Sequence, residues 1–350
     1  MTIFKILLSV LMCSCIFSCV TEIPYENQSE VKRINISGQF TNVLEKQEVI
    51  IKTIPGLSSD EPVVGDPISD AVVTVISSDG EQIAFPHNGN GSYSKIISGT
   101  AGKSYKLMIS RPNGSKYETP FIEMKGNATI DSLRVVPFLE NIINTNGSVT
   151  KNQQVQVILN TKLHNGTVPF NALYRITGEY EFQEDDIRIA PPLRICYIKQ
   201  EFDVGNVVAL SGALLPDSRV TEKNIFKVNH DYRFLYQFGF QIDQYAIDQN
   251  AFEYWNQVQK LTNIKSSIFD PPPGVLKSNI ESKTDVFEQV FGYFTVGSKV
   301  TKRVFTSSVK LKLGGQFFCN ITFGARRRPE CIDCRLFQGS STVRPSYWPF

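Results

Sequence analysis

The sequence predicts a mainly β protein: an N-terminal immunoglobulin-like β-sandwich over residues 31–126, followed by a larger β-rich domain over 127–350 carrying one amphipathic helix near residues 243–263. Three observations carry this reading. The chain holds 24 Phe and 13 Tyr against 2 Trp, alongside many Val, Ile and Thr, the residues that suit a half-buried pleated surface. Apolar and polar residues alternate along most of its length. Turn clusters such as Ser78-Asp79-Gly80, Asn88-Gly89-Asn90-Gly91 and Pro112-Asn113-Gly114 recur at the regular spacing of a sandwich. With 41% hydrophobic and 20% charged residues, the composition supports a core and not a disordered chain.

Taken in order, Ile34, Ile36 and Gly38 begin the strand pattern and Glu48–Ile54 repeats it. A Ser, Asp, Pro and Gly loop over 56–66 follows. Ala71–Ile76 is the clearest strand, then Tyr93–Ile97 and Tyr105–Ile109. A boundary near Gly126 is expected, because Thr129–Val136 opens a new set of strands. Gln153–Leu159, Ala172–Phe182, Arg194–Phe202 and His230–Ile242 continue it. Between Asp243 and Asn263, Phe252, Trp255 and Val258 recur at helical spacing with Glu253, Gln257 and Lys260 opposite, so a helix with an aromatic stripe facing the sheet is expected. Asp270-Pro271-Pro272-Pro273-Gly274 excludes helix and inner strand. Strands are expected again at 286–295, 300–307, 310–313 and 316–323.

The first residues read as an address. Lys5 precedes the apolar run Ile6–Met12, too short to span a bilayer and of the kind a secretory signal has, so residues 1–18 are expected to be a signal peptide. Ile16-Phe17-Ser18-Cys19 resembles a bacterial lipobox, with Cys15 as a second candidate. Cys19 is the expected lipidation site, and residues 19–30 its polar tether; several acyl chains on one cysteine hold a protein on a membrane without crossing it.

Four further cysteines, Cys196, Cys319, Cys331 and Cys334, are candidates for two disulfides in an exported chain, with three connectivities open. Cys331-Ile332-Asp333-Cys334 has the spacing of zinc and thiol-exchange motifs. Its surroundings supply neither further ligands nor a βαβ pattern, and no metal or cofactor is expected.

Thirty-six Lys and Arg against 34 acidic residues give a net charge of +2, with no basic stripe, so nucleic acid is not an expected partner. The sequence holds no GxSxG, HExxH, Walker-type loop or GxGxxG after a strand, and no catalytic residue is nominated. Glu184-Asp185-Asp186 lacks the spaced ligands of a calcium loop and reads as a solvated turn. Asp131-Ser132-Leu133 fits the short bacterial O-glycosylation pattern. The candidate binding residues are Tyr254 and Trp255, on the helix stripe, and the cationic run Arg326-Arg327-Arg328, suited to an anionic partner.

Three stretches together resemble the domain of unknown function 4249 family of bacterial lipoproteins. They are Pro67–Val75 with Gly91-Ser92-Tyr93 and Gly102–Tyr105; Ser267–Pro273 with Asn279-Ile280 and Gly292-Tyr293-Phe294; and Cys331–Arg335 with Gly339 and Arg344–Trp348. The resemblance implies an outer-membrane lipoprotein, on the periplasmic or the cell-surface face, encoded beside a TonB-dependent transporter, and it carries over no catalytic residue. The expected function is that of a lipid-anchored binding or accessory protein for such a transporter, taking a small-molecule or glycan ligand. The alternative is a carbohydrate-active hydrolase using paired carboxylates.

Overall fold

The structure is a computed structural model that describes residues 33–54, 65–126, 129–144, 146–185, 193–202, 207–263, 276–319 and 328–349. It is mainly β, of sandwich type, with one long helix. The amino-terminal strands are β1 (Arg33–Thr41), β2 (Glu45–Thr53), β3 (Val72–Ser77), β4 (Gln82–Phe85), β5 (Ser92–Ile97), β6 (Ser104–Ser110), β7 (Lys116–Glu118) and β8 (Ile122–Glu123). β1, β2 and β5 pair in one sheet, and β3, β4, β6, β7 and β8 in another. The alternation in the sequence decides what faces inward. Ile36, Phe40, Val49 and Ile51 from the first sheet meet Val73, Val75, Leu107 and Ile109 from the second, all buried.

The next strands are β9 (Ser132–Ile143), β10 (Val149–Lys162), β11 (His164–Asn165), β12 (Val168–Pro169), β13 (Asn171–Gln183), β14 (Ile195–Glu201), β15 (Val208–Ser211), β16 (Arg219–Asn229) and β17 (Phe238–Ile247). β18 (Glu281–Ser282), β19 (Gln289–Phe291), β20 (Phe294–Thr306) and β21 (Ser340–Ser341) complete the set. A ten-stranded sheet runs β21-β14-β13-β17-β20-β1-β2-β5, with β15 beside β13 and β19 beside β1. Strands from both sides of residue 126 therefore share one sheet. β1 lies parallel to β19 and β20, β18 pairs with β7, and Ile280, Phe294 and Val296 join the core of the amino-terminal sandwich.

β16, β10 and β9 form a three-stranded sheet whose Val155, Val157 and Leu159 face Tyr174, Ile176, Phe240 and Ile242 of the ten-stranded sheet. The opposite face of β13 and β17 carries Leu173, Tyr245 and Ile247, on which the helix Gln249–Asn263 lays Ala251, Phe252 and Trp255. β17 is therefore buried on both faces for almost all its length.

The helix starts at Gln249, six residues later than the sequence suggests. Asp243–Ile247 continue β17, with Asp243, Tyr245 and Ile247 alternating onto the helix-facing side. Asp248 then caps the helix, its carboxylate accepting from the Ala251 N–H at 2.7 Å. His230–Gln237 is likewise no strand: the Asp231 side chain accepts from the Arg233 N–H and opens a 3₁₀ turn over Tyr232–Phe234. The strand expected at 310–313 is a turn, because the Leu311 and Leu313 N–H groups bond back to the carbonyls of Ser307 and Ser308. Gln316–Cys319 forms no strand, and the rest of that expected segment lies outside the described residues.

Candidate functional site

The register of four paired strands maps the outer face of the ten-stranded sheet. One row across β14, β13, β17 and β20 reads Glu201, Thr177, Gln241, Arg303. The row beside it, toward the carboxyl-terminal tail, reads Lys199, Glu179, Gly239, Phe305. On the other side, toward the helix, Arg175, Asp243 and Thr301 follow, then Leu173, Tyr245 and Lys299. Rows are about 7 Å apart and the four strands together span about 14 Å.

The helix covers this face at one end and the tail at the other. After β21 pairs with β14, the chain turns at Pro345, where the Trp348 N–H bonds to the Pro345 carbonyl, and brings Tyr347 and Trp348 onto the sheet. The Tyr347 hydroxyl donates to Glu179 Oε2 at 2.6 Å, and the Trp348 indole N–H to Glu181 Oε2 at 3.3 Å. Trp348 is buried edge-on against Tyr197 and Phe305, while the Arg303 guanidinium lies 4.0 Å over the Tyr347 ring. Burial, with the bond it donates to Glu179, pushes the Tyr347 phenol up to about 12, so it remains a donor.

Between these covers an open cleft of about 250 Å³ remains, lined by Thr177, Glu179, Lys199, Glu201, Gln241, Asp243 and Arg303, with Phe305, Tyr347 and Trp348 as one wall. Gly239 forms part of the floor. A Cβ there would stand 2.6 Å from the Phe305 ring, so glycine lets that ring fold down over the strand.

The helix-side border is ionic and closed. Lys299 Nζ lies 2.8 Å from Glu45 Oε2 and 3.4 Å from Asp243 Oδ2, and Asp243 also accepts from the Thr301 hydroxyl at 2.5 Å and from Gln241 Nε2. Burial alone would depress the Lys299 ammonium; Tyr245, Asp243 and Glu45 outweigh it and raise it. Arg175 bonds to Gln39 Oε1 at 2.9 Å and stacks over Trp255 and Tyr245. Burial pushes the Tyr245 phenol up to about 12.

Of the residues singled out in the sequence, Trp255 is buried, its indole N–H on Thr295 Oγ1 at 3.2 Å, and Tyr254 is half-buried against Tyr293. Both lie in the cluster between helix and sheet, outside the cleft. Arg328 stacks on Phe318 at 4.3 Å; Arg326, Arg327, Asp186, Cys19 and residues 267–273 lie outside the described residues.

The cysteines pair as Cys196–Cys334 and Cys319–Cys331, with Cα separations of 5.9 and 5.8 Å. The two ends of the CxxC stretch thus bond to different partners. Glu184 is not solvated, as the turn reading had it: it is buried against this knot, accepting from Arg194 and from the Cys334 N–H. Ser132 of the glycosylation-like triplet is half-buried at the start of β9, its hydroxyl accepting from Asn160. Among the described residues no group of three His, Cys, Asp or Glu side chains is arranged to hold a metal, and no helix is long and apolar enough to cross a membrane.

The sequence reading missed Glu179, Gln241 and Arg303. The usable signal was Arg175-Thr177-Glu179-Glu181, a polar series interleaved with Tyr174-Ile176-Tyr180-Phe182, on a strand otherwise as apolar as an inner one.

The model of a family described as a domain of unknown function (DUF4249) matches residues 20–303, and the chain belongs to that family. Neither a curated protein nor a solved structure matches it.

Proposed function

We propose that this member of the DUF4249 family is a lipid-anchored, non-enzymatic binding protein of the cell envelope, which holds a small polar ligand in the cleft of its ten-stranded sheet and presents it to an outer-membrane, TonB-dependent transporter. The observation that carries this reading is the cleft itself. It is a concave site on a rigid sheet, in which Thr177, Lys199 and Glu201 have no side-chain hydrogen bond or ion pair with any described residue. Groups held ready on strands, without an internal partner, suit recognition. The lipobox-like stretch ending at Cys19 and the family resemblance support the anchor and the transporter.

The hydrolase alternative needs two carboxylates at liberty on either side of a scissile bond. In the cleft Glu179 is bound by Tyr347, and Asp243 by Lys299, Thr301 and Gln241. That leaves Glu201 alone, which favours binding over bond cleavage.

The test is purification of the full-length protein from native membranes in mild detergent. Recovery in complex with a TonB-dependent transporter is the expected result. Recovery only as a free, unacylated monomer overturns the proposal.

A further inference from the structure

The cleft proposed above as a binding site has a charge pattern that selects among small polar ligands. Asp243 is already answered by Lys299 and Glu179 by the Tyr347 hydroxyl, while Lys199, which has no ion pair with a described residue, lies one row nearer the tail. Along the row Glu201, Thr177, Gln241, Arg303 a carboxylate stands on one outer strand and a guanidinium on the other. Both end groups are exposed.

We infer that the cleft binds a short zwitterionic peptide laid across the strands, its ammonium end at Glu201 and its carboxylate end at Arg303. The inference rests on the binding-protein reading and names the ligand class of that same site. An extended residue advances roughly 3.3–3.6 Å, so a dipeptide or tripeptide reaches between the two side chains within the ~14 Å they share. The 250 Å³ cleft takes a ligand of this size and not a long chain.

Each group in the row has matching chemistry. The Arg303 guanidinium, 4.0 Å over the Tyr347 ring, presents a fork that can receive a carboxylate through two parallel bonds. Gln241 turns its Nε2 toward Asp243, which leaves its carbonyl oxygen to accept a peptide N–H. Thr177 offers a hydroxyl that can donate to a peptide carbonyl.

A neutral sugar fits less well. Stacking a sugar ring needs an open aromatic face, yet Trp348 is buried, Phe305 is folded over Gly239, and Arg303 occupies a face of Tyr347. Hydroxyl groups also make weaker bonds to ions than ions make with each other.

The experiment is titration calorimetry of the mature folded protein with trialanine, N-acetyl-trialanine, trialanine amide and maltose. Trialanine is expected to bind, with each capped form at least tenfold weaker and maltose weaker still. Arg303→Gln should erase the difference between trialanine and its amide while keeping the penalty for acetylation; Glu201→Gln should do the reverse. Both positions are exposed, so unchanged melting temperatures will show that the variants fold, and the capped ligands test the wild type independently.

Equal binding of capped and free peptides, tighter binding of maltose, or no binding of trialanine overturns the inference. Should the protein still co-purify with a transporter in that case, the binding-protein reading stands and only the ligand class falls.

Discussion

The hydroxyl of Tyr347 and the carboxylate of Glu179, 168 residues apart in sequence, meet at 2.6 Å and fasten the carboxyl-terminal tail to the outer face of the central sheet. Glu179 is 8% exposed, so without this donor it becomes a nearly buried charge short of a partner. Tyr347→Phe is expected to lower stability by about 1–2 kcal/mol and to expose the bonds around Arg344 to trypsin. Unchanged melting and an equally resistant tail would show that the bond holds nothing.

Lys299 gives a larger effect. Its ammonium, with the side chain 9% exposed, answers both Glu45 and Asp243, which come from strands on opposite sides of β1 and β20. Lys299→Met leaves both carboxylates without their shared cation, and a cost of about 3–5 kcal/mol is expected in chemical denaturation. Adding Glu45→Gln and Asp243→Asn should restore part of that loss; a triple variant no better than the single one would argue against an electrostatic origin.

The two disulfides should differ in weight. Cys196–Cys334 closes a loop of 138 residues and Cys319–Cys331 one of 12. In the chain-entropy picture the first contributes about 5 kcal/mol and the second about 3 kcal/mol. Denaturation of Cys196→Ser/Cys334→Ser beside Cys319→Ser/Cys331→Ser checks the order, and a reversed order would contradict it.

Acid stability has a specific source at His230. The Ser308 hydroxyl donates to the Phe234 carbonyl, so its oxygen accepts from His230, which places the imidazole proton on Nε2. Burial lowers the pKa of this ring, against a smaller opposing pull from Asp231. A base with a depressed folded-state pKa contributes stability that is complete above its unfolded value near ~6.5 and is lost as pH falls toward the folded value. The wild type should therefore lose more stability between pH 7.5 and pH 5 than His230→Gln does. Parallel pH profiles for the two proteins would refute the assignment.

Period-two alternation made the β class legible, and the helix stripe Phe252, Trp255 and Val258 was legible for the same reason: both report which faces are buried. The sheet's composition was not. Nothing local in Arg33–Thr41 says that it pairs in parallel with Gln289–Phe291 and Phe294–Gly297, because parallel pairing is specified by the finished fold. Gly292 is a partial exception. Its φ of +89° and a would-be Cβ 2.2 Å from the Ile36 carbonyl explain why a glycine separates β19 from β20 inside the segment expected as one strand over 286–295. The cleft was hidden for a similar reason. Glu201, Thr177, Gln241 and Arg303 are ordinary surface letters until four strands align them, and the Cys196–Cys334 and Cys319–Cys331 pairing likewise follows from proximity in the fold.

The position of β1 also sets a timetable for assembly. This strand leaves the ribosome first among those described, yet one of its flanking partners, β20, is made near the end, and the bond from Lys299 N–H to Asn42 closes over 257 residues. Until then Ile36 and Phe40 lack Phe294 and Val296, so a nascent or truncated chain stopping at residue 126 should stay protease-sensitive and dependent on a holdase.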